Sequence, residues 1–358
     1  MLRMKYISKE VYVADEPIVH VGREEVEFLK QRVHDTERRR IRLCAHRGID
    51  DKLQEMFIVL SGETYLRPSK HLNKDESLHI IEGLADYVFF DEAGNITDVL
   101  SLGDYASGCR SYCRIPESAN HALLVRSDVL VIHETTEGPF RRSDTVFASW
   151  APDEGDKTAI NKFICQLSVL EKEKLDMMRM KANSKEVCVA DEPIVSVGRP
   201  ELEFLKGRVR DSERKRIRLC AHKDIQDKLH EMFVVYLGET YVRPNKHLQK
   251  DESLHILEGA ADFIFFDEVG NITDVIPLGD YASGRRFYCR VPESAYHTLI
   301  MRSDVLVIHE ATPGPFRKSD TIFAPWAPEE GDTIAVNKFI EKLSGVAENF
   351  IPTGKELI

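Results

Sequence analysis

Arg67 to Gly83 reads RPSKHLNKDESLHIIEG, and Arg243 to Gly259 reads RPNKHLQKDESLHILEG. In each stretch a His precedes a Glu by five positions across a polar turn, LNKD or LQKD, and the Glu opens a short apolar-rich run. Two strands joined by such a turn bring the imidazole and the carboxylate together, because paired strands place residues across from one another at side-chain contact distance. His121, at the end of RIPESANH, follows a Pro-marked turn about fifty residues on and is placed to approach from a different strand. Two imidazoles and one carboxylate on a rigid β scaffold form a facial triad with open positions, suited to non-haem Fe(II) and usable by Zn, Mn or Ni. The expected metal ligands are therefore His71, Glu76 and His121, and in the second stretch His247, Glu252 and His297.

Outward from these stretches the whole chain is a duplication. A shift of 176 places aligns Met4–Leu167 with Met180–Leu343 without a gap, and roughly 70% of paired positions are identical, far beyond a shared solenoid pattern. Each copy opens with an amphipathic segment, REEVEFLKQRVHDTERR, that predicts a helix with Val26, Leu29 and Val33 on one face. Then come short strand-like runs, RIRLCAH, KLQEMFIVL, SLHIIEG, ADYVFF, DVLSLGDY, CRSYCRIP, HALLV and DVLVIHE, separated by turn signals such as DEAGN. TAINKFICQL predicts a closing helix. About eight short strands per copy point to an antiparallel jelly roll. The expected class is all-β dominated, two jelly rolls with short flanking helices: one domain over 1–170, a helical linker over 171–185, and a second domain over 186–358.

Composition narrows the function. The 358 residues are 42% hydrophobic and 30% charged, with a formal net charge of -11 and a pI near 5.7. That balance argues against a nucleic-acid binder, which would carry a basic face. No apolar run approaches the ~20 residues of a membrane span, so a cytosolic protein without a membrane partner is expected. Seven Cys, an odd number, fit a reducing compartment better than a disulfide framework.

The motifs also carry a family resemblance. GETYLRPSKHLNKDESLHIIEG resembles the first cupin motif and GDYASGCRSYCRIPESANH the second. DKLQEMFIVLSGETYLRPSKH, FFDEAGNI and HETTEGPFRRSDTVFASWAPDEGD resemble the WbuC-type cupin-fold metalloproteins, here in tandem as a bicupin. The resemblance implies cupin jelly rolls, a divalent transition metal with Fe(II) first and Zn, Mn or Ni as alternatives, and a link to carbohydrate chemistry. Where that family has His-x-His, this chain has Ser69-x-His71 and Asn245-x-His247, so one of four expected ligands is replaced in each copy.

Further expectations follow. His46 and His222, in LCAH, are candidate acid/base groups together with Tyr65 and Tyr241. Strand parity places Arg42 and Arg67, with Arg218 and Arg243, toward the interior, where a guanidinium needs an anionic partner. Asn120 and Tyr296, before the last His of each triad, are candidate substrate contacts. His79 and His255 fall on the opposite strand face from the Glu, at a surface or interface. The expected function is a metal-dependent isomerase, epimerase or Fe(II) oxygenase on a small polar, anionic, carbohydrate-like ligand; the rival is a non-catalytic ligand-binding or regulatory protein. A homo-oligomer is compatible with exposed strand edges.

Overall fold

The computed structural model describes residues 1–168 and 177–350. The first copy carries β1 (Met4–Ser8), β2 (Val11–Ala14), β3 (Val19–Gly22), α1 (Arg23–Lys30), β4 (Arg40–Cys44), β5 (Leu53–Ser61), β6 (Ser69–His71), β7 (Glu76–Glu82), β8 (Leu84–Phe90), β9 (Ile96–Gly103), β10 (Arg110–Ile115), β11 (Asn120–Val125), β12 (Val129–Glu137), β13 (Thr145–Phe147) and α2 (Lys157–Ser168). The second copy carries β14 (Met180–Ala182), β15 (Val187–Ala190), β16 (Val195–Gly198), α3 (Arg199–Arg208), β17 (Arg216–Cys220), β18 (Leu229–Leu237), β19 (Asn245–His247), β20 (Glu252–Glu258), β21 (Ala260–Phe266), β22 (Ile272–Gly279), β23 (Arg286–Val291), β24 (Tyr296–Met301), β25 (Val305–Pro313), β26 (Thr321–Phe323) and α4 (Thr333–Glu348).

These elements form two compact units, each with a sheet of thirteen strands among the described residues, and each is a cupin-type jelly roll. In the first the order is β1-β2-β4-β5-β12-β7-β10-β9-β8-β11-β6-β13, with β16 on β10; the second repeats it, with β3 on β23. The first unit thus comprises Met1–Glu16, Glu24–Met180 and Ala190–Glu203, and the second Pro17–Arg23, Lys181–Val189 and Phe204–Ile358. Each unit takes one strand from the other half of the sequence. In the first unit that segment is fixed by Glu201, which is fully buried, accepts from the Met178 and Gly198 amides at 2.9 Å each, and pairs with buried Arg110.

The eight strand-like runs all become strands, and TAINKFICQL becomes α2. The amino-terminal helix is shorter than its periodicity predicts: α1 ends at Lys30, and a 3-10 turn follows at Val33–Asp35. The Thr36 hydroxyl donates to the Val33 carbonyl and Arg39 sits at φ 54, which turns the chain out of the helix into β4. The join expected to be helical lies outside the described residues over 171–176. Over 177–185 it is not helical, because β14 extends there instead. The short pieces β1–β3, β6 and β13 carry too little periodicity to be read as strands and form through their pairing partners.

Alternation along β8 and β11 divides the two faces of the barrel wall. Tyr87, Phe89, Leu123 and Val125 join the interior with Leu60, Leu78, Ile80, Cys113 and Ile132. Val88, Phe90, Ala122 and Leu124 pack outside against Leu167, Phe163 and Ile164 of α2 and against Trp150. The Trp150 ring lies 4.8 Å from Phe90, and the FFDEAGN turn passes beneath it at Gly94, where φ is +88 and a Cβ would stand 2.7 Å from the indole. Only glycine meets both demands.

Candidate metal centres

Three strands build the first centre. β11 pairs with β6, so that His121 stands opposite Ser69, and β6 places His71 two residues beyond on the same face. Glu76 opens β7 across the turn, but the two strands do not pair as the sequence predicts: β6 lies between β11 and β13 and β7 between β12 and β10, so the imidazole and carboxylate meet without a shared ladder. The ligand atoms of His71, Glu76 and His121 all lie within 4.8 Å of one another, and the same holds for His247, Glu252 and His297. His71 Nε2 is 2.8 Å from Glu76 Oε2, and His121 Nε2 is 3.9 Å from Glu76 Oε1. In the second centre both imidazoles approach one oxygen: Nε2 of His247 and of His297 lie 2.6 and 3.6 Å from Glu252 Oε2.

The residues fit a metal ion. His121 Nδ1 faces the Ala119 carbonyl at 2.9 Å, and since a carbonyl only accepts, Nδ1 carries the hydrogen and Nε2 is left with its lone pair toward Glu76. His297 repeats this with Ala295, again at 2.9 Å. Nδ1 of His71 is held by the Thr145 hydroxyl at 3.2 Å, and that of His247 by Thr321 at the same distance. Burial works to raise the Glu76 carboxyl, but the His71 and His121 rings and the Tyr87 hydroxyl outweigh it and bring the group down to about 2. Burial lowers His71, yet Glu76 overcomes this and its pKa is raised; for His121 burial prevails and its pKa is lowered. An ionised carboxylate among imidazoles is the donor set a divalent transition ion takes up.

The first triad lies in the wall of a cavity of about 600 Å³. Ile58, Leu60, Leu66, Leu78, Leu123 and Ile132 give it an apolar interior, while Arg42, Arg67 and Lys74 bring positive charge to it and Phe140 and Phe147 add aromatic surface. The Lys74 ammonium is 5.4 Å from the Phe140 ring centre. Arg67 lines the cavity, its ion-pair partner is Asp153, and it also donates to the Ala148 carbonyl. Arg243 correspondingly faces Glu329 at 3.8 Å, while Arg42 and Arg218, at matching positions of β4 and β17, are exposed rather than interior, Arg42 still among the residues that line the cavity.

His46 lines the cavity, its Nδ1 tied to the backbone of Glu55. His222 makes the same tie to Glu231 and stacks on His230 at 4.1 Å. Tyr65 does not face the cavity. Its hydroxyl donates to the Pro152 carbonyl at 3.0 Å, its ring meets Phe163 of α2, and burial pushes its pKa up to about 12; Tyr241 does the same with Pro328 and Phe339. Neither phenol is placed to move a proton at the metal centres.

Asn120 is likewise not a cavity residue. His121 points inward, so its neighbour Asn120 points outward, toward Glu92. Tyr296 packs edge-on against Trp326 on the outer face of β24, with the Lys246 ammonium 4.4 Å from its ring centre. His79 and His255 do lie on the face opposite the Glu, but they are 2% and 4% exposed and so are not at the surface; His79 packs edge-on against Tyr112.

Sequence reasoning missed Glu134, Tyr87, Thr145 and Lys74, which all line the cavity. Glu134 had a readable signal: it alternates with Ile132 in VLVIHETTE, a polar side chain on an inward position, and Glu310 repeats it. Burial first, and then the Glu76 charge, push Glu134 up to about 7 and, with Glu252 in place of Glu76, push Glu310 up to about 8.

A family model described as a domain of unknown function, DUF6016, matches residues 21–102 and again 199–278. No curated protein sequence matches the chain. Among solved structures, a point mutant of the salicylate 1,2-dioxygenase of Pseudoaminobacter salicylatoxidans is 12% identical with a TM-score of 0.56, covering 89% of this chain and 90% of that one. The same enzyme in complex with gentisate is 11% identical with a TM-score of 0.56, over 89% and 88% of the two chains. A mutant oxalate decarboxylase of Bacillus subtilis is 14% identical with a TM-score of 0.40, over 86% and 80%. At these identities the likeness to the dioxygenase is one of fold, and it supports the tandem cupin arrangement. No helix among the described residues is long and apolar enough to cross a membrane.

Proposed function

We propose that the chain is a metal-dependent enzyme, in the first instance an Fe(II) oxygenase, acting on a small carboxylate-bearing substrate in the cavity of the first unit. The observation that carries this reading is the triad of His71, Glu76 and His121 in the wall of a 600 Å³ cavity with an apolar interior and with Arg42, Arg67 and Lys74 around it. Two imidazoles and a carboxylate leave open positions of the kind non-haem Fe(II) oxygenases use. Bound there, the ion would supply oxygen or Lewis-acid chemistry. The dioxygenase among the structural neighbours is named for salicylate and crystallised with gentisate, and we carry over to this chain only the class, a small carboxylate.

The protein's own residues divide the remaining work. Arg42 and Lys74 attract and orient the anion. Ile58, Leu78, Leu123 and Ile132 take its apolar body and exclude water. Thr145 and the Ala119 carbonyl hold the two imidazoles in their ligating orientations. Glu134, with its carboxyl pushed up to about 7, holds a proton at the cavity wall.

That carboxyl also favours a second reading, isomerisation or epimerisation of an anionic, carbohydrate-like substrate, which accords with the WbuC-type resemblance. The deciding experiment reconstitutes metal-free protein with Fe(II), Mn, Zn or Ni and follows oxygen uptake with aromatic, keto and sugar carboxylates. Oxygen uptake with Fe(II), absent in His71→Ala and His121→Ala, supports oxygenation. Turnover without oxygen supports isomerisation, and ligand binding without turnover under any metal turns the assignment to a binding protein.

A further inference from the structure

The two centres differ at the position two residues before the first His. In the second unit Asn245 and His247 alternate onto the same face of β19, and Asn245 stands directly opposite His297 of β24. Directly opposed residues in an antiparallel pair have Cβ atoms only about 4.5–5.5 Å apart. The amide nitrogen of Asn245 donates to the Arg243 carbonyl at 3.1 Å. A carbonyl only accepts, so the amide orientation is settled and Oδ1 is the other end. That oxygen is buried and has no hydrogen-bond partner among the described residues. An orphaned amide oxygen is costly, and such atoms call for a missing partner, an ion included.

In the first unit the same position is Ser69, opposite His121 and lining the cavity. A serine hydroxyl reaches one bond less far than an asparagine amide oxygen.

We propose that Asn245 Oδ1 is a fourth protein ligand in the second unit, and that Ser69 leaves this position open in the first. The chain then holds two unequal centres. One, with two imidazole nitrogens, a carboxylate and an amide oxygen, retains a divalent ion tightly. The other, with three protein ligands and the cavity beside it, keeps its extra position for substrate. The donor set of the tighter centre, richer in oxygen, suits Mn(II) or Fe(II) better than a thiophilic ion. This inference rests on the reading of both triads as metal centres.

The test uses Mn(II) alone, titrated into metal-free full-length protein, with free Mn(II) followed by electron paramagnetic resonance. The parent is expected to show two classes of site at least about tenfold apart, since even the outer-shell partners of a metal site change affinity by ten- to hundredfold. His247→Ala should remove the tight class and His71→Ala the weak one. Asn245→Ser should bring the two classes together, Asn245→Asp should keep them apart, and Ser69→Asn should tighten the weak class. Unchanged melting of Asn245→Ser in the metal-free state separates a ligand effect from a folding defect. Two equal sites in the parent, or a tight class that survives Asn245→Ser, would overturn the proposal and leave the metal-enzyme reading standing. Failure of any divalent ion to bind would overturn both.

Discussion

Tyr87 Oη donates to Glu76 Oε1 at 3.1 Å, from a ring that is 1% exposed in the interior of the first barrel. The phenol sits on β8 and the carboxylate on β7, and it is one of the interactions that hold Glu76 ionised. A hydrogen bond to a buried charged acceptor contributes about 1.5–3 kcal/mol. Tyr87→Phe keeps the ring and removes only this bond, so the metal-free protein should lose roughly that amount. Chemical denaturation of the metal-free variant beside the parent measures it, and an unchanged midpoint would show that the bond contributes nothing net.

Thr145→Val removes the hydroxyl that orients the His71 ring while keeping the shape of the side chain. Metal affinity at the first centre should fall by roughly ten- to hundredfold with the fold intact. Thr321→Val should act in the same way on the second centre. Metal titration with circular dichroism as the folding control reads both effects.

The raised carboxyls of Glu134 and Glu310 make the stability of the metal-free protein depend on pH in a defined direction. A carboxyl whose folded pKa is raised binds its proton more tightly in the folded state, so the folded state is favoured by acid. The share of stability that these two carboxyls contribute should fall as pH rises from about 4.5 toward 7 and 8, then level off above those values, opposite in sign to the share of His230, whose pKa burial lowers to about 4. Glu134→Gln should flatten its share of this slope, and melting temperatures from pH 5 to pH 9 provide the comparison. A slope of the opposite sign between pH 5 and 8 that Glu134→Gln leaves unchanged would refute the assignment.

Gly94→Ala should destabilise the first unit by at least about 1 kcal/mol, since it adds both a left-handed backbone penalty and a collision with Trp150. That corresponds to about 2–4 °C in melting temperature for each kcal/mol in a domain of this size. Gly270→Ala should match it, with Trp326 in the same relation, φ +92 and a Cβ 2.8 Å from the indole. Equal melting of parent and variants would mean that the turn and the indole yield at no cost.

Features that depend on local pattern are legible along the chain. Alternation in ADYVFF and HALLV marks strands and their inward faces, the shift of 176 marks the duplication, and the spacing of His71, Glu76 and His121 marks the triad. Parity alone, applied to Asn120 as it was to Arg67, would have turned that side chain away from the cavity. Features that depend on partners far along the chain are settled only once it folds. Pairing of β11 with β6 sets His121 opposite Ser69, and only the folded loop before α2 shows that the Tyr65 hydroxyl belongs to Pro152. The assignment of β3 to the second unit and β16 to the first is also non-local, because a four-residue strand takes its place from the edge it pairs with. Such a strand has too few residues for its own periodicity to choose that edge.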